Sequence, residues 1–327
     1  MPTGAAGYAQ GVIPHTAPPV WPDRRPGRFA ASIVCNTLEL ADDPSLQAEV
    51  AKCRVGLIGL ADDTGVAMNN GRTGAGRGPH AFRAAMARYG VASPMAAAPG
   101  RAAYPRVFDA GDIIIGQDLH ETHDRVTAAV GALVQRGMFP IAIGGGHDLT
   151  FPFVRAVAQA VGPMKGLYFD AHLDVRAEAG SGMPFRALVE GRFVTQLSIW
   201  GIDPFVNTED HAAWFSANGG VFLPPDHPIG PVPGHPAQPS FVSLDLDVLE
   251  VAAAPGVSAI NPCGAPASVI GAWIDAVSRD QSVRCFDIME LNPDFDIDGR
   301  TARLAAHLFL RFLRGLADRL PEERVGP

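Results

Sequence analysis

From Arg54 onwards the chain repeats one theme: an apolar run of strand length, a glycine-bearing loop, then a stretch with helical periodicity. The runs are VGLIGL (55–60), MFPIAIGGG (138–146), GLYFDAH (166–172), RFVTQLSIWGI (192–202), VFLPP (221–225), FVSLDLDVL (241–249) and VRCFDIMEL (283–291). Helical stretches begin near Pro79, a residue suited to a first turn, and cover HETHDRVTAAVGALVQRG (120–137), DLTFPFVRAVAQAVG (148–162), ASVIGAWIDAVSRD (267–280) and TARLAAHLFLRFLRGLADRL (301–320). Strands alternating with helices predict an α/β fold of three α/β/α layers, with a mostly parallel central sheet covered on both faces. No linker interrupts the theme, so residues 31–327 read as a single domain. Residues 1–30, rich in Pro, Gly and Ala, read as an N-terminal arm, and the proline-laden stretch 223–240 as a surface loop between two strands.

A chain of 327 residues can bury a sizeable core. Its formal charge of −8 speaks against nucleic acid or an anionic membrane as partner, since both reward a basic face. No run reaches the roughly 20 apolar residues of a membrane span, and the N-terminus lacks the apolar core of a signal peptide, which predicts a cytoplasmic protein. Cys35, Cys53, Cys263 and Cys285 form no CxxC pair and are expected to be buried free thiols in a reducing compartment.

In parallel sheets ligands gather beyond the carboxyl ends of the strands. The residues least suited to an apolar setting stand there: His147 after IAIGGG, Asp170, His172 and Asp174 in YFDAHLD, Asp245 and Asp247 in SLDLD, and Glu290 in DIMELNPD. In extended backbone a spacing of two sends Asp170, His172 and Asp174 to one side, and likewise Asp245 with Asp247. Four converging buried aspartates repel one another unless cations lie between them. Two divalent ions neutralise four carboxylates, and two imidazoles complete the shell. A carboxylate-rich set without thiolate favours Mn²⁺, with Ni²⁺, Co²⁺ or Fe²⁺ possible, over structural zinc.

The segments GGGHD, FDAHLD, SLDLDVLEVAAAPGVSAINP and MELNP resemble the ureohydrolase (arginase-like) family of arginases, agmatinases and formimidoylglutamases, from about Val55 to about Leu313. Within it, DDTGVAMNNGRTGAGRGPHAFR (62–83), SGMPFR (181–186), GIDPFVN (201–207) and MELNPDFDIDGRTARLAA (289–306) look formimidoylglutamase-like. The resemblance implies hydrolysis of N-formimidoyl-L-glutamate to L-glutamate and formamide with two Mn²⁺ ions, and a homo-oligomer, trimer or hexamer. It also implies one ion on His147, Asp170, Asp174 and Asp245 and the other on His172, Asp170, Asp245 and Asp247. Asp174 would additionally carry a proton towards the leaving amine.

Glu290 suits a planar cationic nitrogen of the substrate. Asn70, Arg72, Arg176 and Arg186 are candidates to receive the substrate's carboxylates, with Arg72 foremost because glycines around it permit close approach. Ser181 occupies the slot where arginases and agmatinases carry a histidine, as it does in formimidoylglutamases. Met183 stands where threonine is expected and keeps a second reading open, a guanidino substrate (guanidinobutyrate, guanidine, agmatine or a biguanide) releasing urea. A non-catalytic subunit of a hetero-oligomer is the third. His120 and His123 lack the i, i+4 spacing of a metalloprotease pair and read as helix-surface residues, as do His80, His211, His227, His235 and His307.

Overall fold

In the computed structural model, which describes residues 13–90 and 104–319, ten strands form one sheet. They are β1 (Thr16–Ala17), β2 (Val34–Cys35), β3 (Val55–Leu60), β4 (Val107–Ile113), β5 (Phe139–Gly144), β6 (Met164–Phe169), β7 (Val194–Trp200), β8 (Val221–Leu223), β9 (Ser240–Asp245) and β10 (Val283–Met289). The order is β1-β4-β3-β5-β10-β9-β6-β7-β8, with β2 beside β4. Every neighbouring pair is parallel except β1 with β4.

Every residue of β3 is buried. Val55 and Leu57 enter one core while Ile58 and Leu60 enter the other, the period-2 division of a strand covered twice. Against the first face pack α3 (Gly78–Met86), α8 (Ala267–Val277) and α9 (Arg300–Arg319). Against the second lie α1 (Pro44–Ala51), α4 (Leu119–Gln135), α5 (Thr150–Val161), α6 (Pro184–Glu190) and α7 (Glu209–Ala217). The three expected layers are present. Among the described residues no helix is long and apolar enough to cross a membrane.

Register decides where the loops emerge. Ile143 pairs with Ile288, Met289 with Asp245, and Leu244 with Phe169. The exits of β5, β10, β9 and β6 therefore spring from one line across the middle of the sheet. β5 and β6 are successive in the chain, yet β10 and β9 lie between them. A crevice opens at such a switch in strand order.

Strand β4 escapes the sequence pattern because Asp109 and Asp112 interrupt its apolar run. Arg83 of α3 compensates both, through Nε and Nη2 to Asp109 (2.8 and 2.9 Å) and Nη1 to Asp112 (2.6 Å). Trp21 donates to the same Asp109 at 2.9 Å, and Thr16 and Ala17 of β1 pair with β4 at the sheet edge. The first twelve residues of the arm, and Leu320 at the end of the last helical stretch, fall outside the described residues. Cys53 and Cys285 are buried, Cys35 half-buried, but Cys263 is exposed in the loop before α8, against expectation.

Candidate metal centre

Three glycines carry the chain from β5 to His147. At Gly145 a Cβ would stand 2.0 Å from the Asp62 carbonyl oxygen, so only glycine lets the two backbones pass. β6 stops at Phe169 and β9 at Asp245, so 170–174 and 246–248 are not the extended segments that the spacing of two suggested. The loops curl instead, and Asp174 and Glu290 take left-handed backbone (φ 49° and 64°). The side chains meet all the same.

His147 Nδ1 lies 3.1 Å from Asp170 Oδ2, 3.0 Å from Asp174 Oδ2 and 3.1 Å from Asp245 Oδ2. His172 Nδ1 lies 2.8 Å from Asp247 Oδ2 and 3.4 Å from Asp170 Oδ1. These residues form two groups able to hold a metal ion, His147 with Asp170, Asp174 and Asp245, and Asp170 with His172 and Asp247; Asp170 is common to both. The fit to cations is visible in the hydrogen bonding. His147 Nδ1 and Asp170 Oδ2 are buried and make no well-formed hydrogen bond among the described residues. A divalent ion is the partner such atoms lack.

Ser243 sets the His147 ring. Its hydroxyl donates to Asp287 Oδ1 at 2.5 Å, so its oxygen accepts from His147 Nε2 at 3.0 Å. Thr150 donates to the other Asp287 oxygen at 3.0 Å. With its proton on Nε2, neutral His147 turns a lone pair on Nδ1 towards the three carboxylates, the form a metal requires.

The electrostatics without cations are tense. Burial, then Asp174 and Asp247, raise the Asp170 pKa to about 6. Burial, Asp247 and Asp170 push Asp245 well up. Burial alone would lower both imidazoles, but the carboxylates outweigh it: Asp170, Asp174 and Asp245 raise His147, and Asp247 and Asp170 raise His172. Burial lifts Glu290 to about 8. Its Oε1 accepts the His147 backbone N–H at 2.8 Å.

Of the expected substrate contacts, three have other partners. Arg72 donates to Val257 O (2.5 Å) and Ser258 O (3.2 Å) with Phe295 against its guanidinium, stapling the glycine-rich loop to the loop after β9. Arg186 pairs with Glu190 at 2.8 Å and covers Trp214. Asn70 is exposed with φ 57°, a left-handed residue just past the short helix α2 (Thr64–Met68). Its neighbour Asn69 faces inward. The donors around it orient its amide so that the oxygen accepts from Gly182 N (2.8 Å), Ser181 N (3.2 Å) and the Ser181 hydroxyl (3.1 Å). Ser181 is thus tied into a turn, and its N–H also reaches Gly65 O at 2.9 Å. Arg176 is exposed, donates its backbone N–H to Gly182 O at 2.8 Å, and its guanidinium makes no hydrogen bond or ion pair among the described residues.

His123 departs from its surface reading: it is 3% exposed, and Nε2 meets Asp148 Oδ2 at 2.9 Å beside the metal groups. The i, i+4 rule tested only for a partner on the same helix, whereas this one comes from the next loop.

A mostly parallel sheet with two abutting His/Asp groups at its switch in strand order defines a metal-dependent hydrolase, and the chain belongs to the Arginase family, whose profile matches residues 53–314. Within that family it is formimidoylglutamase-like. It is 37% identical to the formimidoylglutamase of Ralstonia nicotianae over 287 residues (80% of this chain, 85% of that one). With that of Nocardia farcinica it shares 38% over 276 residues (78% and 84%). The structure of Trypanosoma cruzi formiminoglutamase with Mn2+2 superposes with a TM-score of 0.74 at 28% identity, covering 82% of this chain and 95% of that one.

Proposed function

We propose that this enzyme hydrolyses N-formimidoyl-L-glutamate to L-glutamate and formamide, with two Mn²⁺ ions held by His147, Asp170, His172, Asp174, Asp245 and Asp247. The observation that supports it most is His147 Nδ1, buried without a well-formed hydrogen bond among the described residues, with three carboxylate oxygens from the 170–174 loop and the end of β9 within 3.1 Å. Oxygen donors outnumber nitrogens and no thiolate joins them, a set suited to manganese. Two divalent cations bound there would acidify a water and so supply a nucleophile near neutral pH.

The chain's own groups do the rest. Glu290 Oε2, buried and without a well-formed hydrogen bond among the described residues, receives the cationic formimino nitrogen and turns the trigonal carbon towards the water. Asp174 takes a proton from the attacking water at Oδ2 and delivers it to the departing nitrogen as the C–N bond breaks, so that the amine leaves neutral. Arg176, beside the Gly180–Gly182 turn and with its guanidinium unpaired among the described residues, receives a carboxylate of the glutamate moiety. Asn69 holds the Gly180–Gly182 turn, and with it Ser181, as the wall of the pocket.

Product analysis tests the reading. The protein, reconstituted separately with Mn²⁺ and with Ni²⁺, should release formamide from formimidoyl-glutamate and no urea from agmatine, guanidinobutyrate or guanidine. Urea without formamide would overturn the substrate, and elemental analysis showing no bound metal would overturn the centre.

A further inference from the structure

The loop that carries three of the six candidate ligands is held by two side chains that touch none of the reacting atoms. Asn207, in the loop after β7, accepts the Leu173 N–H at 2.8 Å and donates to Ala171 O at 2.8 Å. It therefore brackets His172, gripping the peptide on either side. A second donation, to Asp203 O at 2.8 Å, and the Asp203 N–H to Ala171 O at 3.0 Å brace the bracket itself. His172 gains from this, because its side chain is 30% exposed and only its Nδ1 edge is held, by Asp247 and Asp170.

Tyr168 acts one peptide further on. Its ring is fully buried and stacked on Phe185 at 3.7 Å, and its hydroxyl donates to Leu173 O at 3.0 Å. That carbonyl belongs to the peptide leading into Asp174, whose left-handed backbone (φ 49°) persists only where the surroundings impose it. Turned the other way, the peptide would carry Asp174 Oδ2 away from His147.

We propose that Asn207 and Tyr168 are positioning residues, one for each half of the metal centre: Asn207 fixes His172, and Tyr168 fixes Asp174. The assignment rests on the two-cation reading above. Outer partners of this kind alter metal affinity or activity by about 10–100-fold.

The test is Mn²⁺ titration by calorimetry in two single-site backgrounds. In Asp174→Asn the His172 group remains; there Asn207→Ala should weaken binding about 10–100-fold, and Tyr168→Phe should leave it within about twofold. In His172→Asn the His147 group remains, and the two substitutions should exchange effects. In the otherwise unaltered enzyme each should lower kcat with KM nearly constant. Tyr168→Phe keeps the stacked ring, and Asn207→Asp keeps the acceptor for Leu173 while losing both donors, so a misfolded Asn207→Ala protein has a substitute. Equal weakening in both backgrounds, or a lower melting temperature with unchanged Mn²⁺ binding, would overturn the assignment. An unsubstituted enzyme that takes up one ion or none would instead overturn the two-cation reading, and the assignment with it.

Discussion

Glu290 is divided between two tasks: Oε1 accepts the His147 backbone N–H at 2.8 Å, while buried Oε2 makes no well-formed hydrogen bond among the described residues and has the Ser258 hydroxyl as its polar neighbour. The first oxygen ties the exit of β10 to the exit of β5. The second is left for a cation from outside. Glu290→Gln preserves the first bond and removes the charge behind the second. A hydrogen bond to a charged group contributes about 1.5–3 kcal/mol, so kcat/KM should fall about 10- to 100-fold with metal content unchanged. Steady-state kinetics beside elemental analysis checks this, and full activity in the variant would remove Glu290 from substrate binding.

Arg176 and Arg72 should separate cleanly. Arg176→Ala should raise KM for formimidoyl-glutamate about tenfold, the scale of one charge-assisted contact, while barely changing the melting temperature. Arg72→Ala removes two donations to the 257–258 backbone and the contact with Phe295, so it should cost about 1–3 kcal/mol of stability. Urea unfolding and substrate kinetics on both variants decide between the roles. If Arg72→Ala alone raises KM, the assignment reverses.

Stability after chelation should depend on pH with a definite sign. Asp170 moves from 3.8 to about 6 and Glu290 from 4.5 to about 8, while His147 and His172 are both raised. The folded, metal-free protein thus holds more protons than the unfolded chain across pH 5–8. Stability is greatest at the acidic side of that window and is lost as pH rises. Asp247, held low by His172 against burial, acts below its ordinary 3.8 and leaves the window untouched. Melting curves in chelator should therefore show Tm falling from pH 5 to 8. Mn²⁺ should restore it most at pH 8, because binding releases protons. A chelated protein whose Tm rises over that range would contradict the site's electrostatics.

His123→Ala should be costly although the residue touches no candidate ligand side chain. It strands the buried Asp148 carboxylate, and breaking a buried pair from one side costs about 3 kcal/mol. The exposed His120, on the same helix, serves as control and should be silent to substitution. Denaturant midpoints compare the two.

Much of this was legible from residue order alone. The alternation of apolar runs and helices specifies the layered sheet, and the six ligand candidates stand out because aspartate and histidine follow such runs at no other obvious benefit. Three features were hidden. β4 carries two aspartates whose compensating arginine lies 26 and 29 residues away, so no local pattern marks it as a strand. The convergence of 170–174 depends on curled loops rather than on strand alternation, and a spacing of two happens to serve both. Arg72 and Asn70 were attractive for the glycines beside them, yet carbonyls from 257–258 claim the arginine, and a left-handed turn points the asparagine outward. Long-range hydrogen bonds of this kind leave no trace in spacing.

The interleaving of strands also orders events in time. When the ribosome has made β5 and β6, the histidine and the aspartates they carry have two strand widths still missing between them, and those widths are filled by strands from the last third of the chain. The proposed centre can therefore assemble only in a chain that has reached β10, and a product that stops before β9 lacks Asp245 and Asp247 altogether.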